Sequence, residues 1–306
     1  MTALTRKAEK KMMTESKPKV WTLPQIILMI VILLISLTCL LPFVNVAAVS
    51  FSSKSAILRG DVSFWPVEFN TMAYKAIFAD PSMIRSMVFT VIITVVYTVF
   101  SMFLTILMAY PLTKKRLRGR KLFNFLALFT MYFSGGTIPI YLNIKELGLL
   151  DTPWSLILPG MLSTYNMIIL KSFFSGLPTE LEEAAIIDGA TDFQVLLRVY
   201  LPLSMASLAT LTLFYAVGKW NSFQDALYYI STKAYQPLQL KLYNIIKGSQ
   251  AVDVAAMEGG SSTVATSISE SIEPATIIFA TLPILVVYPF VQRYFVAGVT
   301  IGAVKG

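Results

Sequence analysis

Residues 183–202 read EAAIIDGATDFQVLLRVYLP, and with the residues just before them they predict two short helices joined by a glycine turn. Gly189 lies between the two helices and can adopt the left-handed conformation that ends the first one. A capping box is a Ser or Thr followed three residues later by Glu or Gln, and it marks the start of a helix. Two such pairs begin the two helices: Thr179 with Glu182, and Thr191 with Gln194.

The composition of the whole chain is that of a membrane protein. Its 306 residues are 56% hydrophobic and 14% charged, and the mean hydropathy is +0.68, whereas a soluble domain is about a quarter charged. Only helices or closed barrels satisfy their backbone groups in lipid, and the apolar runs are too long for barrel strands. The sequence therefore predicts an all-α polytopic membrane protein.

Several kinds of chemistry are excluded by what the sequence lacks. There is no histidine, and Cys39 is the only cysteine, so His-based catalysis, His metal sites and an intrachain disulfide are excluded. No G-x-x-x-x-G-K-[ST] phosphate loop is present, so the chain does not bind ATP by that route. We expect no catalytic residue, no metal site and no cofactor in this chain.

Six transmembrane helices are predicted between residues 24 and 296, each with the ~20 apolar residues that a bilayer requires. A basic tail, 1–23, precedes them, and a short tail, 297–306, follows. The first apolar segment is too long for the core of a signal peptide, so we expect an uncleaved helix. The predicted spans are 24–50, 85–112, 122–146, 154–174, 203–230 and 274–296.

The distribution of Lys and Arg sets the predicted orientation. Basic residues are denser in the tail 1–23 and in the connection 114–121 than in the loops 51–84 and 231–273. The positive-inside rule makes the denser side cytoplasmic, which puts both termini and the hairpin at 178–202 in the cytosol. Outer loops this long are functional or disordered, and for the Ser/Thr-rich part of the second loop both interpretations stay open.

The hairpin resembles the EAA loop of ABC-importer permeases, E-A-A-x3-G-x9-[IV]-x-L-P, at every fixed position. Three further stretches resemble carbohydrate-uptake permeases of the maltose type: LGLLDTPWSLILPG at 147–160, the pair Trp220-Asn221, and GVTIGAVKG at 298–306. The resemblance covers about residues 20–306, and within that family the chain is most similar to the polysaccharide-type permeases.

The resemblance implies a type I importer in a bacterial cytoplasmic membrane that moves a carbohydrate by alternating access. It implies three partners: a second homologous permease, an ATPase dimer that binds ATP and Mg, and an extracytoplasmic solute-binding protein. The loop would dock on the ATPase, although a carboxylate near a helix N-terminus also has a purely structural interpretation. The implied coupling residues are Glu183, Ala184, Ala185, Gly189, Leu201 and Pro202.

Lys219 departs from the family, where the position is often apolar or aromatic. An ionisable residue inside a span is a functional hypothesis by default. On one helix counted from Pro202, Lys219 lies about 25 Å along, in the outer half of the bilayer. Two interpretations stay open: Lys219 snorkels to the outer interface, or it faces a central cavity and meets an anionic substrate such as a uronate-containing oligosaccharide.

Other polar residues are candidates for the substrate pathway. Asn221 and Asp225 are i,i+4 neighbours on another face of the same predicted helix, where they bind sugar hydroxyls or bridge helices. Ser134-Gly135-Gly136, with Pro139, predicts a break in the third span, either beside a cavity or at a close helix contact. Tyr and Trp at helix ends are also common interfacial anchors. The remaining candidates are Trp220, Tyr132, Tyr165 and Asn166.

Three alternative functions fit the sequence less well. A permease for another solute, such as phosphate, an amino acid or a peptide, conflicts with the carbohydrate-type ending. An intramembrane enzyme would need a set of reactive side chains that the chain lacks. A secondary transporter is disfavoured by the EAA-like loop and by the absence of an inverted repeat. Co-purification with an ATPase would separate the importer from the last two.

Overall fold

The computed structural model describes residues 22–257 and 266–303, and in these residues the predicted all-α fold is confirmed. The first half of the fold consists of α1 Leu23–Ser50, α2 Lys54–Leu58, α3 Met72–Ala79, α4 Pro81–Thr113, α5 Arg120–Tyr132, α6 Thr137–Glu146, α7 Trp154–Ile157 and α8 Thr164–Ser175. The second half consists of α9 Thr179–Ile187, α10 Asp192–Val195, a π-helical segment Leu196–Tyr200, α11 Leu201–Leu203, α12 Met205–Asn221, α13 Gln224–Tyr229, a 3-10 turn Lys233–Tyr235, α14 Leu238–Met257 and α15 Thr266–Ala303.

Three helices in the described residues are long and apolar enough to cross a membrane: α1, α4, and the part of α15 from Ser271 to Pro289. Two bent helix pairs raise this number to five if each pair is one crossing. In the first pair α5 and α6 meet at 112°, at the break that Ser134-Gly135-Gly136 predicts. In the second pair the segment Asp192–Leu203 meets α12 at 84°.

Two predicted spans differ from the structure in form. Residues 154–174 are two short helices, α7 and α8, and neither is long enough to cross a bilayer, so the count of six stays a prediction. Residues 203–230 do not form one helix either, because the chain breaks at Ser204 and again between α12 and α13. Distances counted along a single helix from Pro202 are therefore wrong.

The predicted outer loops contain helices. In 51–84, α2 and α3 pack around an aromatic stack in which Phe51 lies against both Phe69 and Tyr74. Most of the described part of 231–273 is helical, because α14 and the start of α15 occupy it. The predicted tails 1–23 and 297–306 lie mostly outside the described residues or have no described side chains, as do Gly259 and Gly260.

Helix α4 is the central element of the fold. Asp80 caps its N-terminus by accepting a hydrogen bond from the Ser82 amide, and Pro81 occupies the first helical position, where its missing N–H is not needed. Side chains of α4 join all three apolar clusters of the described residues: one with α8, α12 and the hairpin, one with α3, α14 and α15, and one with α7, α13 and α14. Whatever moves α4 therefore moves all three clusters.

Candidate coupling site and intramembrane charge pair

The predicted hairpin is present, and its turn has the expected geometry. Gly189 has φ +81°, in the left-handed region. The amide of Gly189 donates to the Ile186 carbonyl at 3.0 Å, and the amide of Ala190 donates to the Ala185 carbonyl at 2.9 Å. These two bonds satisfy carbonyls that the end of α9 would otherwise leave free, as in a Schellman motif.

Only one of the two predicted capping boxes is confirmed. Thr191 caps the N-terminus of α10. Its amide donates to the Gln194 side chain at 2.8 Å, and its hydroxyl accepts from the Gln194 amide at 3.4 Å. The box at Thr179 is wrong, because Pro178 is the capping residue and Thr179 already lies inside the helix. The carboxylate of Glu182 is free to turn elsewhere.

The predicted coupling residues surround the glycine turn. Glu183, Ala184 and Gly189 are exposed, whereas Ala185 is half-buried against the apolar core. Leu201 also packs on that core, and Pro202 is exposed beside it. A cleft of about 310 Å³ opens next to the turn, with Ala185, Gly189 and Arg198 among its lining residues. The hairpin thus presents a small, uneven surface rather than a buried contact.

The sequence analysis missed Glu182, whose side chain bonds to two residues outside its own helix. Its Oε2 lies 2.7 Å from Lys114 Nζ and accepts a hydrogen bond of 2.7 Å from the Tyr200 hydroxyl. Burial raises the pKa of Glu182, but the bonds from Lys114 and Tyr200 outweigh it and hold the pKa below its ordinary value. Glu182 is therefore ionised, and it joins the hairpin to the end of α4.

Lys114 is held on several sides. Its ammonium also donates to the Tyr200 hydroxyl at 3.1 Å, and it lies 4.2 Å from the ring centroids of both Tyr110 and Tyr200. The two side chains of the ion pair are only 10% (Lys114) and 17% (Glu182) exposed. Tyr200 ends the π-helical segment, an irregularity that is frequent at functional sites. No local pattern marks these contacts, because the partners lie far apart in the sequence.

The Lys219 side chain lies almost wholly inside the protein beside a carboxylate, and its two interpretations, snorkelling and facing a cavity, stay predictions. Its ammonium lies 3.4 Å from Asp225 Oδ2 and 4.9 Å from the centroid of the Tyr97 ring. The Lys219 side chain is 7% exposed and the Asp225 side chain is 40% exposed. The break between α12 and α13 folds Asp225 back toward Lys219, so the predicted placement of Asn221 and Asp225 on one helix is wrong.

The other pathway candidates do not gather around Lys219. Trp220 is buried and donates from Nε1 to the Ala280 carbonyl at 3.3 Å, which ties α12 to α15. Asn221 donates to the Val217 carbonyl of its own helix at 3.0 Å. Asn166 is buried at the start of α8, and Tyr132 and Tyr165 are exposed. Within the described residues no hydrogen bond, ion pair or ring contact joins these five residues to Lys219, and their part in a pathway stays a prediction.

Comparison with known proteins gives concordant matches. The model of the family described as "Binding-protein-dependent transport system inner membrane component" matches residues 75–300. Protein LplC of Bacillus subtilis (strain 168) is 46% identical over 267 residues, which are 87% of this chain and 90% of that protein. The polygalacturonan/rhamnogalacturonan transport system permease protein YtcP of the same organism is 42% identical over 275 residues, 90% of this chain and 96% of that protein.

A solved structure matches over almost the whole chain. It is the crystal structure of a bacterial ABC transporter involved in the import of the acidic polysaccharide alginate. The TM-score is 0.80 and the identity is 33%, and the match covers 92% of this chain and 100% of the other.

Proposed function

The chain belongs to the family of binding-protein-dependent transport system inner membrane components, and from that premise we propose that it is the membrane permease of an ATP-driven carbohydrate importer. The observation that carries the proposal is the exposed hairpin around Gly189, which the Lys114–Glu182 pair ties to a long apolar helix. A surface element that is bonded directly to a membrane-spanning helix suits a subunit that receives motion from a partner.

The proposed cargo is a uronate-containing oligosaccharide. Two relatives support it: YtcP is described as a polygalacturonan/rhamnogalacturonan permease, and the solved relative imports the acidic polysaccharide alginate. Lys219 does not add to this support, because Asp225 already neutralises it. The acidic cargo is therefore proposed from the relatives, whereas transport itself is proposed from the family and the hairpin.

The proposed assembly has four kinds of component. The chain pairs with a second homologous permease, an extracytoplasmic solute-binding protein delivers the sugar, and a dimer of ATPase subunits binds ATP and Mg in the cytosol. ATP binding and hydrolysis in that dimer supply the energy. In this chain the exposed residues Glu183 and Ala184 meet the ATPase, and α4 carries the displacement into the bilayer, where the cavity switches between its outward and inward openings.

Reconstitution tests the proposal. The chain is co-expressed with candidate partner subunits (a homologous permease, an ATPase subunit and a solute-binding protein), purified through a tag on this chain, and placed in liposomes. We expect the ATPase to co-purify and labelled oligogalacturonate to enter when ATP is present. Entry of a neutral oligosaccharide alone would refute the acidic cargo. A complex without ATPase, or one that imports a non-sugar solute instead, would refute the proposed function.

Glu183 provides a matched pair of variants for the docking step. Glu183 and Glu180 are both exposed carboxylates of α9, so reversing either charge leaves the fold intact. Glu183→Lys should reduce the amount of ATPase that co-purifies, and Glu180→Lys serves as the control. An equal effect of the two variants would show that charge on α9, rather than the Glu183 contact, controls docking.

A further inference from the structure

The contacts of Lys114 define a compact unit at the inner end of α4, which we call the joint: Lys114, Glu182 and Tyr200. We propose that the joint makes the hairpin and α4 move as one body, so that its three residues are positioning residues that tie transport to ATP hydrolysis. The inference rests on the proposed function and deepens it, because it says through which helix the motion of the hairpin enters the membrane.

The joint is stiff because its polar groups satisfy one another away from water. The ammonium, the carboxylate and the hydroxyl form a closed triangle with sides of 2.7, 2.7 and 3.1 Å. Two tyrosine rings flank the ammonium, and a cation on desolvated aromatic faces is held more strongly than one in water. Loss of any one group leaves another polar group buried without its partner, so the triangle resists partial opening.

Aromatic packing attaches the joint to one further helix, α8, and adds contacts to α4. The rings of Tyr110, Phe174 and Tyr200 meet edge to face in every pairing, with centroids 5.1–6.4 Å apart. Tyr110 belongs to α4 and Phe174 to α8, and the Tyr110 hydroxyl also donates to the Asp192 carbonyl at 3.0 Å. The hairpin is thus attached to α4 at both of its helices.

The covalent route from the hairpin into the membrane is less direct than the joint. The chain leaves the hairpin through the π-helical segment and turns by 84° at Ser204 before α12 begins. A push along α10 therefore bends the chain at Ser204 instead of moving α12 along its axis. Helix α4, by contrast, is unbroken over 33 residues, about 50 Å at ~1.5 Å per residue.

The far part of α4 contacts two further helices, α12 and α14. Tyr97 of α4 lies against Lys219. Nearer the other end, the Thr90 hydroxyl accepts from the Leu238 amide at 2.8 Å, and Asp80 pairs with Lys241 at 3.0 Å. A displacement applied at Lys114 therefore reaches α12 and α14 through contacts that α4 already makes.

The test measures coupling rather than activity alone. In the reconstituted complex, the oligosaccharide molecules imported per ATP hydrolysed are compared for the wild type, Lys114→Met and Glu182→Gln. We expect both variants to assemble, to hydrolyse ATP, and to import about tenfold less per ATP, a fold-change of the size usual for coupling between two sites. Lys114→Arg keeps the charge, and a guanidinium also binds carboxylates and aromatic faces, so it should restore part of the ratio.

Two further variants make the result decisive. Arg116→Met removes a neighbouring ion pair, with Asp192, whose side chains are 59% and 61% exposed, and it should leave the ratio unchanged. Tyr200→Phe removes one hydroxyl and keeps the ring, so it tests the joint even if Lys114→Met does not assemble. An unchanged ratio in Tyr200→Phe and Glu182→Gln, or an equal fall in Arg116→Met, would overturn the joint. A wild-type complex that hydrolyses ATP but imports no carbohydrate would instead overturn the proposed function.

Discussion

At the scale of single residues, Gly189 shows most directly how backbone geometry limits the sequence. A Cβ added at Gly189 would meet no heavy atom within 4 Å, so the Cβ itself has space there. The obstacle is the φ of +81°, because a left-handed conformation costs an ordinary residue about 1–2 kcal/mol, more when it is β-branched.

We expect Gly189→Val to abolish uptake while the chain still inserts in the membrane, because the turn between α9 and α10 would reshape and undock the hairpin. Gly189→Asn is the matched control, since asparagine tolerates the left-handed conformation, and it should keep most of the transport. Uptake and membrane-fraction abundance are measured together. Normal uptake in Gly189→Val would remove the turn from the coupling site.

A second residue-scale prediction concerns the pair Lys219–Asp225, whose two members differ in exposure. Removing Asp225 leaves the 7% exposed Lys219 without its counter-charge, whereas removing Lys219 leaves a carboxylate that water already reaches. Asp225→Asn should therefore destabilise the protein by about 1–3 kcal/mol and Lys219→Met by less, as measured by thermal unfolding in detergent. The double variant should recover part of the loss. A larger effect of Lys219→Met would mean that the ammonium has another partner.

The same pair limits what Lys219 contributes to cargo choice. An ammonium already paired with a carboxylate has little net charge to offer a uronate, so Lys219→Met should leave the ratio of acidic to neutral sugar uptake unchanged. A selective loss of acidic sugar uptake would instead restore the interpretation in which Lys219 faces the pathway.

At the scale of elements, the sequence predicts best what depends on neighbours in the chain. The glycine turn at Gly189 and the cap at Thr191 are correct because their signals lie within a few residues of the bonds that they form. The joint and the pair Lys219–Asp225 were missed because they depend on where the chain bends. Lys114 and Glu182 meet only after α4, α8 and the hairpin have packed together.

The start of α4 permits a pH prediction outside the membrane. Hydrogen bonds from Ser82 and the nearby Lys241 lower the pKa of Asp80 from 3.8 to about 2. A lowered carboxyl pKa contributes stability that is fully present above the unfolded value and is lost as the pH falls toward the folded value. The contribution of Asp80 should therefore persist at pH 6 and fade between about pH 4 and pH 2.

The variant that tests this prediction is Asp80→Asn, which keeps the shape of the cap and removes the charge. The thermal midpoint of the variant should lie below that of the wild type at pH 6, and the difference between the two midpoints should be smaller at pH 3. Because the Asp80 side chain is 43% exposed, the difference is expected to be small. A difference that widens in acid would show that Asp80 is not the group that titrates.

At the scale of the whole molecule, orientation decides whether the hairpin can meet a cytosolic ATPase at all. The sequence predicts this orientation from Lys and Arg alone, and family membership supports a membrane location without fixing which side is which. The connection 114–121 and the hairpin share one side, because Lys114 and Arg116 bond to Glu182 and Asp192. An experiment that shows on which side of the membrane the connection lies therefore also shows the side of the hairpin.

Cysteine labelling makes the location measurable. Cys39 is exposed on α1, so Cys39→Ala provides the background into which Arg118→Cys and Ser63→Cys are introduced separately. Both positions are exposed in the structure, one in the basic connection and one in the predicted outer loop. The Ser/Thr-rich run near Ser262 would serve the same purpose but lies outside the described residues.

A membrane-impermeant maleimide added to intact cells should label Ser63→Cys alone. In inside-out vesicles it should label Arg118→Cys alone. The reverse pattern would place Glu183 outside the cell, where no ATPase could reach it, and would refute the orientation and the proposed function together.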